Sequence, residues 1–236
     1  MNPVLVLTHN TLALTKKCIA SIEAQDIPTS IFVIDNDSSD GTKEWLSSEE
    51  YKGVWQQFTP QLGVSKGWNF GLNKLFYDPV WNAEFVLCPN SDTILPSWFY
   101  RELLTCDGAL VSGVSVDRME QIAERPARME RNPHPDFSAF LLRREAWEKI
   151  GPFDERMVNY CSDCAYHIEA VRKGVQLYKT GLPFYHERSS TLKLAPPKEH
   201  LEMSRQADAD RQVFRSIYGC IPGEPAYEEF FKCEMQ

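Results

Sequence analysis

Short, continuous runs of apolar residues alternate along the first part of the chain with longer segments of helical periodicity. Continuous apolar runs are typical of strands that are buried on both faces of a parallel sheet. The pattern predicts such strands at residues 4–7, 31–34, near 54–58, 85–88 and 109–111. Between them it predicts helices at 11–24, near 41–49, 65–77 and 96–104. Strand and helix alternate, so we predict an α/β fold with a mostly parallel central sheet and helices on both faces.

The regular alternation ends after residue 115. Residues 117–136 combine four arginines with interleaved acids and three prolines, and we interpret them as a mobile loop or lid. Beyond them the pattern predicts strands at 137–142, 175–179 and 183–186, and helices at 143–150, 163–173 and 199–217.

This pattern predicts one α/β domain over residues 1–190, with a regular first part at 1–115 and a less regular second part at 116–190. Residues 191–236 are predicted to form a C-terminal helical extension. Its role as a lid, a dimer contact or an acceptor clamp is left open.

Composition narrows the class of protein. The 236 residues are 43% hydrophobic, enough to build a sizeable core, so a mainly disordered chain is excluded. The net charge of −8 disfavours broad binding to nucleic-acid backbones. Seven cysteines without framework spacing predict free thiols in a reducing compartment. No apolar stretch approaches the roughly 18 residues of a membrane span, and no signal peptide opens the chain, so we expect a cytoplasmic protein.

Acidic loops follow two of the predicted strands. Asp35-Asn36-Asp37 leaves the second strand and Asn90-Ser91-Asp92 leaves the fourth. Ligands of open α/β sheets bind beyond the carboxyl ends of the strands, where two such loops would repel each other without a cation or a donor-rich ligand. Oxygen ligands of this kind favour Mg²⁺ or Mn²⁺. The alternative is a pair of solvated turns, because Asp, Asn and Ser are common turn residues.

Five segments, in this order, carry motifs of one enzyme family. They are VLVLTHN at 4–10, VIDNDSSDGT at 33–42, QLGVSKGWNFG at 61–71, CPNSDTILP at 88–96, and residues 140–155 followed by Cys161-Ser162-Asp163. The sequence resembles the inverting glycosyltransferases of family 2, which have the GT-A fold and transfer a sugar from a nucleotide sugar. The resemblance covers residues 4 to about 190 and is specific for the family, though not for a particular sugar. It implies that residues 1–115 form the nucleotide-sugar-binding half of the domain and residues 116–190 the acceptor half.

The resemblance implies a set of contacts with the nucleotide-sugar donor. Asp35 and Asn36 match positions that contact the nucleobase or ribose, whereas Asp37 stands where the family usually has Gly. A carboxylate there can accept a hydrogen bond from a base N–H or a ribose hydroxyl. The full set of implied donor-binding residues is Thr8, Asn10, Asp35, Asn36, Lys66, Asn69, Asn90 and Ser91.

The resemblance also implies a metal site for Mn²⁺ or Mg²⁺. Asn90-Ser91-Asp92 replaces the family's D-x-D, so Asp92 is the surviving carboxylate ligand, and His186 matches a histidine that completes the metal or diphosphate site. The ion would neutralise the departing diphosphate. Each residue has a plainer alternative: Asp92 could cap a helix that begins near residue 94, and a single histidine is often structural.

Asp163 matches the catalytic aspartate of the family, which removes a proton from the acceptor hydroxyl as that hydroxyl attacks. Ser162 replaces the usual Glu, so half of this motif is present. The alternative is a carboxylate that stabilises the start of a helix. Glu169 and Asp154 are weaker candidates for the base.

The prediction is therefore a metal-dependent inverting glycosyltransferase that uses a nucleotide-diphosphate sugar and a hydroxyl-bearing acceptor. A glycan is the favoured acceptor, a modified DNA base is the second choice, and a homodimer is a further expectation. The alternatives are a sugar nucleotidyltransferase and a non-catalytic nucleotide-sugar-binding protein. The first lacks the Gly-rich basic loop expected after the first strand, where the chain reads Thr8-His9-Asn10-Thr11-Leu12.

Three further features have a plainer and a functional interpretation. Cys161-x-x-Cys164 has the spacing of a redox pair or half a zinc site, but helix-start packing is favoured. A basic strip of Arg188, Lys193 and Lys198 would suit a nucleic-acid acceptor. Four arginines could reach a diphosphate or an anionic acceptor, although self-pairing within their loop is favoured: Arg118, Arg125, Arg128 and Arg131.

Overall fold

The computed structural model describes residues 2–187 and 195–232. Its strands are β1 (Pro3–Thr8), β2 (Ser30–Asp35), β3 (Val54–Gln57), β4 (Phe85–Pro89), β5 (Thr93–Ile94), β6 (Leu110–Val116), β7 (Glu130–Arg131), β8 (Ala139–Arg143) and β9 (Leu177–His186). Its helices are α1 (Leu12–Glu23), α2 (Thr42–Leu46), α3 (Val64–Tyr77), α4 (Phe99–Leu104), α5 (Arg144–Ile150), α6 (Ser162–Arg172), α7 (Pro197–Tyr218) and α8 (Pro225–Glu228). The domain boundary expected at residue 190 lies outside the described residues.

The described strands form one sheet of nine strands in the order β3-β2-β1-β4-β8-β6-β9-β5, with β7 added beside β9. The first four strands of this order run parallel, and β6 is parallel to β9. Strand β8 runs antiparallel between β4 and β6. The prediction of an α/β fold with a mostly parallel sheet is therefore confirmed, and each antiparallel pair includes β8 or β9 from the second half of the chain.

Helices cover both faces of the sheet because the side chains of each strand alternate between them. On one face Val4 and Val6 of β1 pack against Ile19 of α1 and Phe99 of α4. On the other face Leu5 lies in the cluster that contains α3, α5 and α6. Helix α3 approaches β1 closely at Gly71, where a Cβ would lie 2.5 Å from Leu5 Cδ1. A third cluster joins α6 to α7 and α8.

Three details of the predicted elements are wrong. The separate strands expected at 175–179 and 183–186 are one strand, β9, because a register shift opposite Ser112 and Val114 of β6 accommodates Gly181 and lets the ladder continue. The helix expected at 96–104 begins at Phe99. The segment interpreted as a loop at 117–136 contains a 3₁₀ turn at Met119–Gln121 and the two residues of β7.

Among the described residues, no helix combines the length and the apolar character that a membrane crossing requires.

Candidate active site

The predicted donor loops meet at one edge of the sheet. Thr8, the last residue of β1, pairs with Asp35, the last residue of β2. On the other side of β1, Leu7 forms a parallel bridge with Asn90, which follows β4. The Asp35 loop and the Asn90 loop therefore flank the end of β1. This is the edge where open α/β sheets bind their ligands.

Asp35 is fully buried, and its carboxylate shapes the loop that follows β2. It accepts hydrogen bonds from the Ser38 N–H (3.1 Å) and from Gln57 Nε2 (2.9 Å). The next residue, Asn36, accepts a bond at Oδ1 from the Leu62 N–H at 2.6 Å. These contacts fix the loop against β3 and the segment before α3, so the polar groups of this edge are held in place before any ligand binds.

The predicted residues around β1 also bond to neighbouring loops. Thr8 Oγ1 lies 2.7 Å from Thr15 Oγ1 inside the protein. Asn10 adopts a positive φ of 50° and accepts a bond at Oδ1 from the Ser39 N–H at 2.8 Å. Ser91 Oγ lies 3.3 Å from the hydroxyl of Thr11. The structure therefore brings Thr8, Asn10 and Ser91 to the same edge as Asp35.

Lys66 and Asn69 lie on the first two turns of α3 and have different surroundings. Lys66 is exposed. Asn69 is buried, and its amide bonds to both backbone groups of Phe153 (2.8 and 2.9 Å) and to Glu155 Oε1 (3.0 Å). Asn69 thus ties α3 to the 153–155 loop, and its contact with a donor stays a prediction.

Asp92 and His186, the two predicted metal ligands, are neighbours. Asp92 Oδ1 lies 3.2 Å from His186 Nε2, and their side chains are only 11% and 12% exposed. The pairing of β5 with β9 places Thr93 opposite His186 and so sets this contact. The alternative in which Asp92 caps a helix is wrong, because α4 begins only at Phe99. A carboxylate oxygen and an imidazole nitrogen are a suitable donor pair for a divalent ion.

The space beside this pair is a cavity of about 200 Å³. Its lining residues come from α1, β5, β9 and the 3₁₀ turn: Leu14, Lys17, Asp92, Thr93, Ile94, Met119, Tyr185 and Glu187. The Tyr185 hydroxyl donates a hydrogen bond to Glu187, which raises the pKa of the phenol. No group of three or more His, Cys, Asp or Glu side chains among the described residues has metal-binding geometry. Among the described residues, Asp92 and His186 are thus a pair of candidate ligands rather than a larger cluster.

Asp163 lies exposed in the first turn of α6, and its Oδ1 accepts a bond from the Cys164 N–H at 2.8 Å. The loop before α6 bonds to the start of α3, since the Ser65 N–H donates to the Val158 carbonyl at 3.1 Å. Asp163 therefore follows, by five residues, the loop position that contacts the start of α3, and its side chain is exposed.

The surroundings of the cysteine pair beside Asp163 favour the neutral thiol form. Burial, assisted by the charge of Asp163, raises the pKa of the Cys161 thiol to about 11 and that of Cys164 further. A thiol must ionise to act as a nucleophile or a metal ligand, so these values favour the packing role. All six described cysteines are free thiols, and Cys233 lies outside the described residues.

The expected self-pairing of the arginine-rich loop does not occur within the described part of the chain. Glu124 pairs with Arg101 (3.3 Å) and Glu130 with Lys179 (3.4 Å). These two acids therefore pair with basic side chains outside the 117–136 loop. The arginines of the loop are exposed: Arg118, Arg125, Arg128 and Arg131. Of the proposed basic strip, Arg188 and Lys193 lie outside the described residues.

Sequence reasoning missed a contact between the C-terminal helix and the donor edge. His9 Nδ1 lies 2.7 Å from the Asn36 carbonyl oxygen, and Nε2 lies 3.2 Å from Glu199 Oε1 in the first turn of α7. Asn10 Nδ2 donates to the same oxygen at 3.3 Å. The position of His9 within the first family motif, at residues 4–10, could have indicated a role at this edge. No feature of the sequence pointed to Glu199.

Residues 4–149 match the sequence profile of glycosyl transferase family 2, and the chain belongs to this family. A comparison with curated proteins finds no significant match.

Solved structures of similar fold share little sequence with this chain. The mannosyltransferase PcManGT from Pyrobaculum calidifontis, in complex with GDP-Man and Mn²⁺, has a TM-score of 0.60 at 18% identity, over 98% of this chain and 68% of that one. S. aureus TarS 1–349 in complex with UDP-GlcNAc has a TM-score of 0.63 at 14% identity, over 100% of this chain and 72% of that one. GalNAc-T7 with UDP, GalNAc and Mn²⁺ has a TM-score of 0.63 at 11% identity, over 79% of this chain and 43% of that one. These likenesses establish the GT-A fold.

Proposed function

We propose that this glycosyltransferase is metal-dependent and inverting, and that it moves a sugar from a nucleotide-diphosphate sugar to an acceptor hydroxyl. The observation that carries the proposal is the Asp92–His186 pair, which lies at the polar edge of a family 2 domain with a cavity beside it. The complexes of PcManGT with GDP-Man and of TarS with UDP-GlcNAc support a nucleotide-sugar donor.

Asp92 and His186 would hold the metal ion. Asp92 Oδ1 and His186 Nε2 lie 3.2 Å apart, so both atoms could bind the same ion. The nitrogen ligand favours Mn²⁺ over Mg²⁺, which prefers oxygen ligands. Mn²⁺ is present in the PcManGT and GalNAc-T7 complexes. When bound, the ion would neutralise charge on the departing diphosphate.

The rest of the edge would bind the donor. Asp35 and Asn36 are buried and rigidly held, which suits recognition of the nucleobase or ribose. Lys66 is an exposed cation on the first turn of α3, so its charge could contact a diphosphate. The remaining proposed contacts come from Thr8, Asn10, Asn69, Asn90 and Ser91.

Asp163 would act as the base. Its side chain is exposed in the first turn of α6, which leaves the carboxylate accessible to an acceptor hydroxyl. The hydroxyl oxygen attacks the anomeric carbon on the side opposite the diphosphate, its proton passes to Asp163, and the bond to the diphosphate breaks. Attack from the opposite side inverts the configuration of the sugar.

A glycan is the acceptor we favour, and a modified DNA base is the alternative. The net charge of −8 opposes a polyanionic acceptor, whereas four exposed arginines on one loop would assist it. The six free thiols support a reducing, cytoplasmic environment. We also propose that the protein forms a homodimer.

A thermal-shift screen of UDP-, GDP- and other nucleotide sugars, with and without Mn²⁺, tests the function. We expect one donor to stabilise the protein only when Mn²⁺ is present, and release of its nucleoside diphosphate to follow. The configuration of the transferred sugar, read by NMR, tests inversion. Stabilisation without turnover would favour a binding protein instead, and formation of a nucleotide sugar from a nucleoside triphosphate would favour a nucleotidyltransferase.

A further inference from the structure

One carboxylate of the C-terminal helix α7 is completely buried. Asp210 has no exposed surface, and its oxygens accept hydrogen bonds from three consecutive backbone N–H groups. Oδ1 accepts from Val158 at 2.9 Å, and Oδ2 accepts from Asn159 and Tyr160 at 2.8 Å each. A buried carboxylate is costly unless its lone pairs are satisfied, so these bonds hold the 158–160 segment tightly.

Gln206, one turn before Asp210 on α7, supports this arrangement. Its Nε2 donates to Asp210 Oδ1 at 2.8 Å. No Lys or Arg among residues 2–187 and 195–232 forms an ion pair with Asp210. The negative charge of this carboxylate is thus balanced by backbone and amide N–H groups, whose directions fix the path of the loop.

The same loop is bound on its other side to the start of α3. The Ser65 N–H donates to the Val158 carbonyl at 3.1 Å, and the Val64 N–H donates to Asn159 Oδ1 at 3.1 Å. Ser65 Oγ also donates to the Met157 carbonyl. The loop therefore connects the helix that carries Lys66 with the C-terminal helix.

The 158–160 segment leads directly into the start of α6. Cys161 precedes the helix with φ = 62°, a left-handed conformation that costs a residue with a Cβ about 1–2 kcal/mol. Asp163 follows two residues later and is exposed. Because the segment is held from both sides, it sustains this turn and sets the direction in which Asp163 leaves the helix.

We infer that Asp210 is a positioning residue for the base Asp163. This inference rests on the function proposed above. The C-terminal helix is then part of the catalytic apparatus, because it supplies the group that orients the loop before α6. Asp210 touches neither substrate nor metal in this account, so its loss should slow turnover while leaving donor binding intact.

The main test compares Asp210→Asn with Asp208→Asn. Asp208 lies on the same helix, is 76% exposed and pairs with Arg211, so its variant controls for the lost charge. The readout is Mn²⁺-dependent release of nucleoside diphosphate from the donor, with water as acceptor. We expect Asp210→Asn to lower kcat at least about tenfold, because small misplacement of a catalytic group is costly. Binding of UDP or GDP with Mn²⁺ should stay within about twofold of wild type for both variants.

A double variant separates positioning from a general loss of stability. If Asp210 acts through Asp163, Asp163→Asn combined with Asp210→Asn should be no slower than Asp163→Asn alone. Losses that multiply, or an Asp210→Asn variant with wild-type kcat, would overturn the inference. If Asp210→Asn does not fold, Gln206→Ala is the test: a severalfold lower kcat supports the inference, and a wild-type kcat overturns it.

These outcomes are distinct from failure of the proposed function. A wild-type protein without metal-dependent donor turnover would refute the function and the inference together. Turnover that is lost in Asp163→Asn but retained in Asp210→Asn would refute the role of Asp210 alone.

Discussion

Asp92 Oδ1 and His186 Nε2 lie 3.2 Å apart, although the two residues are distant in the sequence. The contact depends on a ladder of only two residue pairs, in which Thr93 lies opposite His186 and Ile94 opposite Tyr185. Next to this ladder, the Glu187 N–H donates a hydrogen bond to the Asp92 carbonyl at 3.1 Å. The candidate metal ligands are therefore positioned by backbone hydrogen bonds.

The first prediction concerns this pair. Asp92→Asn and His186→Ala should each abolish the additional thermal stabilisation that UDP or GDP gives in the presence of Mn²⁺, because one of two protein ligands is lost. Asp107→Asn is a matched control, since Asp107 is an exposed carboxylate before β6. Mn²⁺-dependent stabilisation that survives in both variants would place the metal elsewhere.

The second prediction concerns the base. Asp163→Asn should keep Mn²⁺-dependent binding of the donor and lower kcat by roughly 10²–10⁴, the usual contribution of a general base. Steady-state turnover and a separate binding measurement check the two parts. Glu145→Gln, which removes an exposed acid on α5, should retain wild-type kcat. Full turnover in Asp163→Asn would eliminate this residue and bring Glu169 or Asp154 forward.

The third prediction concerns Gly63, which precedes α3. Its φ of 81° and ψ of 173° are essentially restricted to glycine, and a Cβ there would lie 2.3 Å from Val158 Cγ1. Gly63→Ala should cost about 2–3 kcal/mol of unfolding free energy and displace the 157–160 loop. Gly219 has φ = 76° with nothing within 4 Å of an added Cβ, so Gly219→Ala should cost only about 1 kcal/mol. Urea unfolding measures both, and equal losses would contradict the close approach.

The fourth prediction concerns His167, which is buried on α6 with Phe137 at 4.6 Å between ring centroids. Burial, together with the nearby His134, lowers the pKa of His167 to about 3. The Pro135 carbonyl opposes this shift in part, but neither ring nitrogen has a partner in hydrogen-bond geometry among the described residues. The folded protein therefore keeps His167 neutral over a pH range in which the unfolded chain protonates it.

Stability should consequently fall as the pH drops below about 6.5, by about 1.4 kcal/mol for this histidine at pH 5.5. His167→Phe removes the titrating group and suits the aromatic surroundings. The loss of unfolding free energy between pH 7.5 and 5.5 should be smaller in this variant by that amount. Denaturant titrations at the two pH values measure it, and an unchanged pH dependence would show that His167 already has a proton acceptor.

The first half of the fold was predictable from sequence because its strands are buried on both faces. The apolar runs at β1, β2 and β4 are continuous, and a run of this length without polar alternation is typical of such a strand. Strand β9 was not predictable as one element, since its path through Gly181 and Pro183 depends on the partner strand β6. The two residues of β5 are too short to leave a pattern.

The candidate site also contains residues that could be predicted from the sequence and residues that could not. Asp35, Asn90 and Asp92 follow apolar runs, so their place at the sheet edge could be inferred locally, and the family motifs supplied the expected roles. Asp210 and Glu199 left no such signal, because α7 is largely polar and their partners lie far away in the chain. Contacts of this kind arise only when tertiary packing brings distant segments together.

Strand β8 has a mechanical consequence for the enzyme. It forms hydrogen bonds with β4 on one side and with β6 on the other. Strand β2, which ends at Asp35, and strand β9, which ends at His186, therefore belong to one continuous sheet. Bending between the two halves would break a complete ladder. The continuous sheet therefore opposes a hinge motion between its two halves, of the kind found in two-lobed enzymes. We expect the movements that admit and release substrates to occur in the loops and helices around the sheet.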